Sequence, residues 1–300
     1  MEVKKKNPIW LDESHPNFLR WKRARELSIE RGKFVSSVIN RQIKTTNLNV
    51  LDLGSGEGGT SKVFSTDNFV VSLDLSLVKL QRQISSVISK EGSHPTEKSS
   101  TINETRFLSS FEMTEQKLVN ASALQLPFSN HLFDLIIIQD VIEHLTNTSD
   151  FHSEVKRVLK TNGVIYLSTP NKLSIFNFFN DPHFGLPIVS ILKRESIKKY
   201  FLKHFRKDDY NRTDIAQLFS LNKLLNLFKK DYEISLHTKY SVRELFNGNK
   251  GIVWSDFHLK LITFCKIIKV DKVLIKIAND KAGILNKYFT PTFYFVLKKY

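Results

Sequence analysis

The stretch Val50–Gly59, VLDLGSGEGG, constrains this chain more than any other feature. Val50, Leu51 and Leu53 read as the end of a short buried strand. Four glycines follow within the six residues Gly54 to Gly59, and such a turn lets backbone approach a ligand with no side chain in the way. Gly54, Gly56 and Gly59 also satisfy the G-x-G-x-x-G spacing that places a pyrophosphate on a helix N-terminus. Asp52 and Glu57 argue against that ligand, because carboxylates repel an anion and attract an ammonium. The turn is expected to hold a zwitterion or a cation.

A second apolar strand, FVVSLDLS, runs from Phe69 to Ser76 and ends near Asp74. An acid at that place, roughly 20 residues beyond the glycine turn, accepts both hydroxyls of a ribose, so the ligand should carry a nucleoside. Helical periodicity covers Pro16 to about Ile43 and Leu77 to Lys90. Strands are expected near Lys117–Asn120, Phe133–Gln139 and Gly163–Ser168, with a helix over about Ser149–Leu159 between the last two. A helix at Leu221–Phe228, a strand at Tyr232–Leu236 and a final aromatic strand in TPTFYFVLKKY complete the pattern. Repeated strand-helix alternation predicts an α/β fold with a doubly wound, largely parallel sheet.

Two further segments, ASALQLPFSNHLFDLIIIQDVIEHL from Ala121 and EVKRVLKTNGVIYLSTPN from Glu154, lend the chain a family likeness. Over Asn49–Asn171 it resembles the class I S-adenosylmethionine-dependent methyltransferases, in particular the small-molecule group that includes quinone-biosynthesis enzymes. The resemblance implies a Rossmann-like, seven-stranded sheet whose last strand is antiparallel, and S-adenosyl-L-methionine as cofactor. It implies that Asp52, Gly54, Ser55, Gly56 and Gly58 hold the methionine end and that Asp74, with Leu75, holds the ribose. Ser122, Ala123 and Gln139 would complete the cofactor site. Aligning on Leu126, Pro127 and Phe128 puts Ser122 where the family usually has an Asp facing the adenine amine, so this contact loses its charge.

Periodicity and the change of pattern beyond Asn171 divide the chain into an N-terminal helical cap over the cofactor cleft (1–44), the S-adenosylmethionine-binding core (45–171), a substrate lid or insertion (172–219), and a C-terminal part that completes the sheet with basic amphipathic helices (220–300). Charge follows these divisions. Residues 1–44 carry a net +6, residues 45–170 a net −4 and residues 171–300 a net +13, out of +15 overall. A mildly acidic core with basic additions suits an anionic partner: a phosphorylated small molecule, lipid headgroups or RNA. One cysteine, Cys265, excludes an intrachain disulfide and a cysteine-rich metal site. With no signal-like apolar run and no stretch near 18 apolar residues, a cytoplasmic protein is expected, in peripheral contact with membrane if at all. The polar run EGSHPTEKSSTINETRFLSS is expected to be a surface insertion.

Methyl transfer needs alignment of the acceptor, and a base when the acceptor is a hydroxyl or a protonated amine. The loop QDVIEHL offers Glu143 and His144, and DPHFGLP offers His183. His144 is the best-placed base, with a loop-supporting role as its alternative. Asp140, Glu143 and His144 sit at i, i+3 and i+4, and some related methyltransferases hold a divalent cation with an acid-x-x-Glu-His cluster. Their first acid is normally Glu, so spacing alone assigns no metal here. Phe176, Phe178, Phe179 and Phe184 read as an apolar lid or as packing for the insertion. HLKLITFCKIIKVDKVLIKIAND, with Lys260, Lys266, Lys269, Lys272 and Lys276, resembles a basic amphipathic helix that lies on a membrane or packs on its own domain. The function expected is methyl transfer to an oxygen or nitrogen of a small or lipid-like acceptor. RNA methylation, or a non-catalytic cofactor-binding subunit, are the alternatives.

Overall fold

Continuous apolar runs such as FDLIIIQ cannot hide one face and wet the other, so both faces of their strands must be covered. The computed structural model shows that arrangement in residues 8–88, 116–212, 214–252 and 256–300, the residues it describes. The polar run expected as a surface insertion lies outside them. Chain order begins with α1 (Phe18–Glu26), α2 (Ser28–Ile39), β1 (Asn49–Leu53), α3 (Gly59–Phe64), β2 (Phe69–Asp74) and α4 (Leu77–Ile88). It continues with β3 (Gln116–Asn120), β4 (Phe133–Gln139), α5 (Thr148–Val158), β5 (Leu159–Pro170) and α6 (Ile175–Phe179). The remainder comprises α7 (Arg194–Ser196), α8 (Lys203–Phe205), α9 (Leu221–Phe228), β6 (Tyr232–Leu236), α10 (Thr238–Phe246), α11 (Asp256–Ile267), α12 (Val270–Ile277), α13 (Ile284–Tyr288) and β7 (Thr292–Lys299).

The sheet has seven strands in the order β3-β2-β1-β4-β5-β7-β6. All pairings are parallel except those of β7, which lies antiparallel between β5 and β6. Alternation along β4 shows the double burial: Ile136 and Ile138 join one apolar cluster with Phe151, Val155 and Phe228, while Leu135 and Ile137 join another with Phe34, Val38 and Tyr294. Each such fully buried side chain contributes about 1.5–3 kcal/mol, so these two layers hold the sheet rigid under the site. Strand order reverses between β1 and β4, and open α/β sheets bind ligands outside the carboxyl ends of the strands at that point.

Local chemistry sets the element ends. Asn147 caps α5, its side-chain oxygen accepting from the Ser149 and Asp150 amides at 3.0 and 3.2 Å, so the helix starts where its first donors are satisfied. The N-terminal periodic stretch is two helices, α1 and α2, meeting at Leu27. The lysine-striped stretch near the C-terminus is likewise two helices rather than one. Lys269, at φ 58°, turns the chain between α11 and α12, and the hairpin packs against α10. The insertion has a small apolar core of its own, built from Phe184, Val189, Ile197, Leu202 and Ile215.

Candidate cofactor and acceptor site

The glycine turn connects the carboxyl end of β1 to the start of α3. Gly54, Gly56 and Gly58 have φ of 77°, 55° and 76°, a left-handed backbone that side chains disfavour. A Cβ at Gly54 would run into the Val141 methyl, and one at Gly58 would lie 2.6 Å from the Gln83 side chain. The Gly54 and Ser55 amides donate to the Leu73 carbonyl at 2.7 and 3.0 Å, tying the turn to β2. Gln83 on α4 supports it from behind, donating to the Ser55 hydroxyl at 3.0 Å and the Gly56 carbonyl at 2.8 Å.

Asp74 ends β2 beside this turn. Its two carboxylate oxygens accept from the Gly56 amide at 2.9 Å and the Ser76 amide at 2.8 Å. Each oxygen keeps a lone pair, so the oriented carboxylate can still accept hydroxyl donors. Leu75, next in sequence, is 77% exposed. An apolar side chain held in the open beside an anchored acid fits the flat face of a nucleobase. Ser122 is also exposed, and its hydroxyl already accepts from the Leu124 amide at 3.2 Å. Ala123 is half-buried beside it, and the half-buried Gln139 accepts from the Thr60 hydroxyl at 3.2 Å. The residues present thus fit a nucleoside.

The two acids of the turn serve differently from the expectation that both face the ligand. Glu57 forms an ion pair with Arg82 at 3.2 Å, so its charge is answered within the protein. Asp52 is 2% exposed and accepts from the Ser61 hydroxyl at 2.5 Å. Burial pushes its carboxyl up to about 6. A chain of hydroxyls and amides, Ser61 to Ser72 to Gln116 to Gln83, continues from Asp52 beneath the turn.

Beyond β4 the chain enters a 3₁₀ turn at Ile142–His144 rather than an α-helix. Asp140, at φ 55°, therefore does not share a face with Glu143 and His144. It is paired instead with Arg31 of α2 at 2.6 Å. The gathered trio is Glu143, His144 and His183, whose ligand-type atoms all lie within 4.8 Å of one another. The His144 and His183 rings meet edge to face at 5.1 Å.

Each member has a defined state. Glu143 is fully buried; desolvation, reinforced by the Asp140 charge, holds its carboxyl well above the usual range. Its Oε2 accepts from the Thr169 hydroxyl at 3.0 Å, while Oε1 has no hydrogen-bond partner and lies 3.8 Å from His183 Nε2. Desolvation lowers both histidines, and the neighbouring His144 lowers His183 further. His144 Nδ1 lies 2.8 Å from the Asp214 carbonyl, which can only accept. The proton must therefore sit on Nδ1, leaving the Nε2 lone pair available.

Three elements hold this trio in place. Arg194 donates to the carbonyls of Glu143 and Leu145 at 3.1 and 3.0 Å and to Ile215 at 2.6 Å, and the Gln217 amide donates to Glu143 at 2.8 Å. Asn17 and Arg20 at the N-terminus reach the carbonyls of His183, Asp181 and Pro182. Arg31, Gln83, Thr169 and Arg194 are structural parts of the site that the sequence reading missed. Their partners lie far off in sequence, 109 residues in the case of Arg31 and Asp140, and no local spacing signals them. Of the four lid phenylalanines, Phe184 is core of the insertion, Phe176 and Phe178 are half-buried, and only Phe179, 65% exposed, stands open.

Comparison with known proteins agrees with this geometry. The methyltransferase domain family matches residues 51–167, the segment bearing the glycine turn, Asp74 and the β4 loop. An uncharacterized protein of Methanocaldococcus jannaschii is 28% identical over 187 residues, covering 60% of this chain and 67% of that protein. Among solved structures, phosphoethanolamine N-methyltransferase 2 of Haemonchus contortus, bound to S-adenosyl-L-methionine, shares the fold at TM-score 0.54 and 14% identity. The match covers 97% of this chain and 59% of that one. A methyltransferase from Mesorhizobium loti gives a TM-score of 0.51 at 12% identity over 88% of this chain and 96% of its own. Matched segment and sheet order agree: residues 51–167 match the methyltransferase domain family, and the chain has the Rossmann-like fold of the S-adenosylmethionine-dependent methyltransferases.

Proposed function

We propose that the protein methylates an oxygen or a nitrogen of a small, lipid-like acceptor, with His144 as the base. Bound S-adenosylmethionine supplies an electrophilic methyl group on a sulfonium, which leaves as a neutral thioether. The observation that carries the proposal is the state of His144: its imidazole biased toward neutral by burial, its tautomer set by the Asp214 carbonyl so that Nε2 keeps its lone pair, and its ring gathered with Glu143 and His183. Nε2 takes the proton that the acceptor loses. Burial and the Asp140 charge bias the Glu143 carboxyl toward its protonated form, in which it can donate a hydrogen bond to an acceptor oxygen. The apolar side chains at the mouth, Leu173, Ile175 and Phe179, are exposed on the segment leaving β5 and favour an acceptor with a hydrocarbon part.

A second reading rests on two buried atoms without partners, Glu143 Oε1 and His183 Nδ1. One carboxylate and two imidazoles are a donor set that suits a divalent cation, and the Nδ1 hydrogen bond of His144 is the kind that orients a ligating histidine. Glu143, His144 and His183 would hold the ion and Asp140, engaged by Arg31, would not. Such an ion would bind and polarise the acceptor oxygen.

The test is incubation with methyl-labelled cofactor and cell extract, followed by separation into organic, nucleic-acid, protein and aqueous fractions, with and without a chelator. Label is expected in the organic phase. Label confined to a nuclease-sensitive fraction would mean an RNA substrate and overturn the proposal. Loss of labelling with chelator, restored by added Mn²⁺ or Zn²⁺, selects the second reading over the first.

A further inference from the structure

The helical hairpin α11–α12 is the least buried part of the described C-terminal region. No residue of α12 is buried, whereas α5 and α9 each bury three. Its apolar side chains are nevertheless large: Phe264 is 57% exposed, Ile267 73%, Val273 55%, and Ile268 and Ile277 close to half. Apolar side chains clustered in the open on one unit mark an interaction surface, since isolated ones scatter over a surface at random.

Charge decides the kind of partner. From Asp256 to Phe289 the chain carries seven lysines against three aspartates and no glutamate. None of these lysines joins an ion pair among the described residues. Lys266, Lys269 and Lys272 bracket the break between α11 and α12, beside Ile267 and Ile268. A protein partner would place acids against the lysines at fixed points, and RNA would leave the isoleucines and Phe264 in water. An anionic bilayer surface answers both: headgroups meet the ammonium groups while the adjacent apolar side chains enter the acyl boundary.

We infer that the α11–α12 hairpin is a membrane-docking element that seats the enzyme on anionic lipid. The hairpin cannot cross the bilayer, as no helix among the described residues is long and apolar enough to do so. It lies in the interface with Lys266, Lys269 and Lys272 at headgroup level. Downstream, the chain passes through α13 to the cleft mouth, where Asn171 donates to the carbonyls of Asn286, Lys287 and Thr290. The inference does not depend on the proposed acceptor, because docking needs no methyl transfer.

Vesicle co-sedimentation of the full chain tests it, using phosphatidylcholine vesicles with and without phosphatidylserine. Binding to the anionic vesicles is expected to exceed binding to the neutral ones by at least about tenfold and to weaken with salt. Substituting Lys266, Lys269 and Lys272 by Glu should remove it. Phe264→Ser with Ile267→Ser should remove the salt-resistant remainder, with cofactor affinity unchanged as evidence that the variants fold. Equal binding to both vesicle types, or anionic binding that survives the lysine changes, would overturn the inference. So would tight binding to an RNA oligonucleotide lost with the lysines but not with the apolar pair, or a dimer that the Phe264 and Ile267 changes convert to monomer.

Discussion

At the scale of single residues, the site works by denying side chains their ordinary hydration. His144 is held below its ordinary pKa of 6.5 chiefly by desolvation, with the Asp214 carbonyl and carboxylate opposing. A base whose pKa is lowered stays neutral, and so competent, at every pH above that lowered value. Activity should therefore be flat through neutrality, with its acid limb below pH 6.5. His144→Ala should lower kcat by about a hundredfold or more and leave cofactor affinity unchanged. A profile recorded with saturating cofactor checks both, and an unchanged kcat would return His144 to holding the loop through Asp214. Asp140 marks where spacing misled. An i, i+3, i+4 pattern puts three side chains on one face only if the backbone is α-helical, and here a left-handed residue followed by a 3₁₀ turn sends Asp140 to Arg31.

Elements carry the next level of the design. Helix α2 crosses α3 closely enough that a Cβ on Gly32 would lie 2.8 Å from the Thr60 backbone and 2.9 Å from the Gly59 carbonyl. Gly59 is as tightly placed against Ser28 of α2. This contact sets the N-terminus of α3, which begins at the glycine turn, and it positions Arg31 over Asp140. Gly32→Leu should push the two helices apart, destabilise the protein by about 1–3 kcal/mol, and weaken cofactor binding in parallel. Thermal unfolding with and without cofactor checks this, and an unchanged melting temperature would contradict it. The elements were the most legible part of the sequence. Strands β4 and β6 and helix α9 have the ends that periodicity implied, because an apolar run bounded by polar residues is a local signal. The break at Lys269 was not legible, because apolar residues and lysines alternate across it without a glycine or proline to mark the turn.

At the scale of the whole molecule, the sheet supplies the place and the additions close over it. The reversal of strand order between β1 and β4 opens the crevice; the glycine turn, Asp74 and the β4 loop stand on its two sides. The N-terminal helices and the insertion close over it through Asn17, Arg20, Arg31 and Arg194. Motif order along the chain foretold the crevice, since every strand end involved is read locally. The sequence also led to the expectation of a helical cap and a lid over the cleft, but not of the side-chain pairs that fasten them, which meet across more than a hundred residues. The central claim is that this crevice binds S-adenosylmethionine through an acid held by the glycine turn, and titration calorimetry addresses it most directly. S-adenosylmethionine and its demethylated product should both bind, and NAD should not. Asp74→Ala should weaken both by at least tenfold, about 1.4 kcal/mol, by removing the ribose acceptor and freeing the Gly56 amide. Binding of NAD in place of S-adenosylmethionine, or an Asp74→Ala protein that binds the cofactor as tightly as the native chain, would contradict the account.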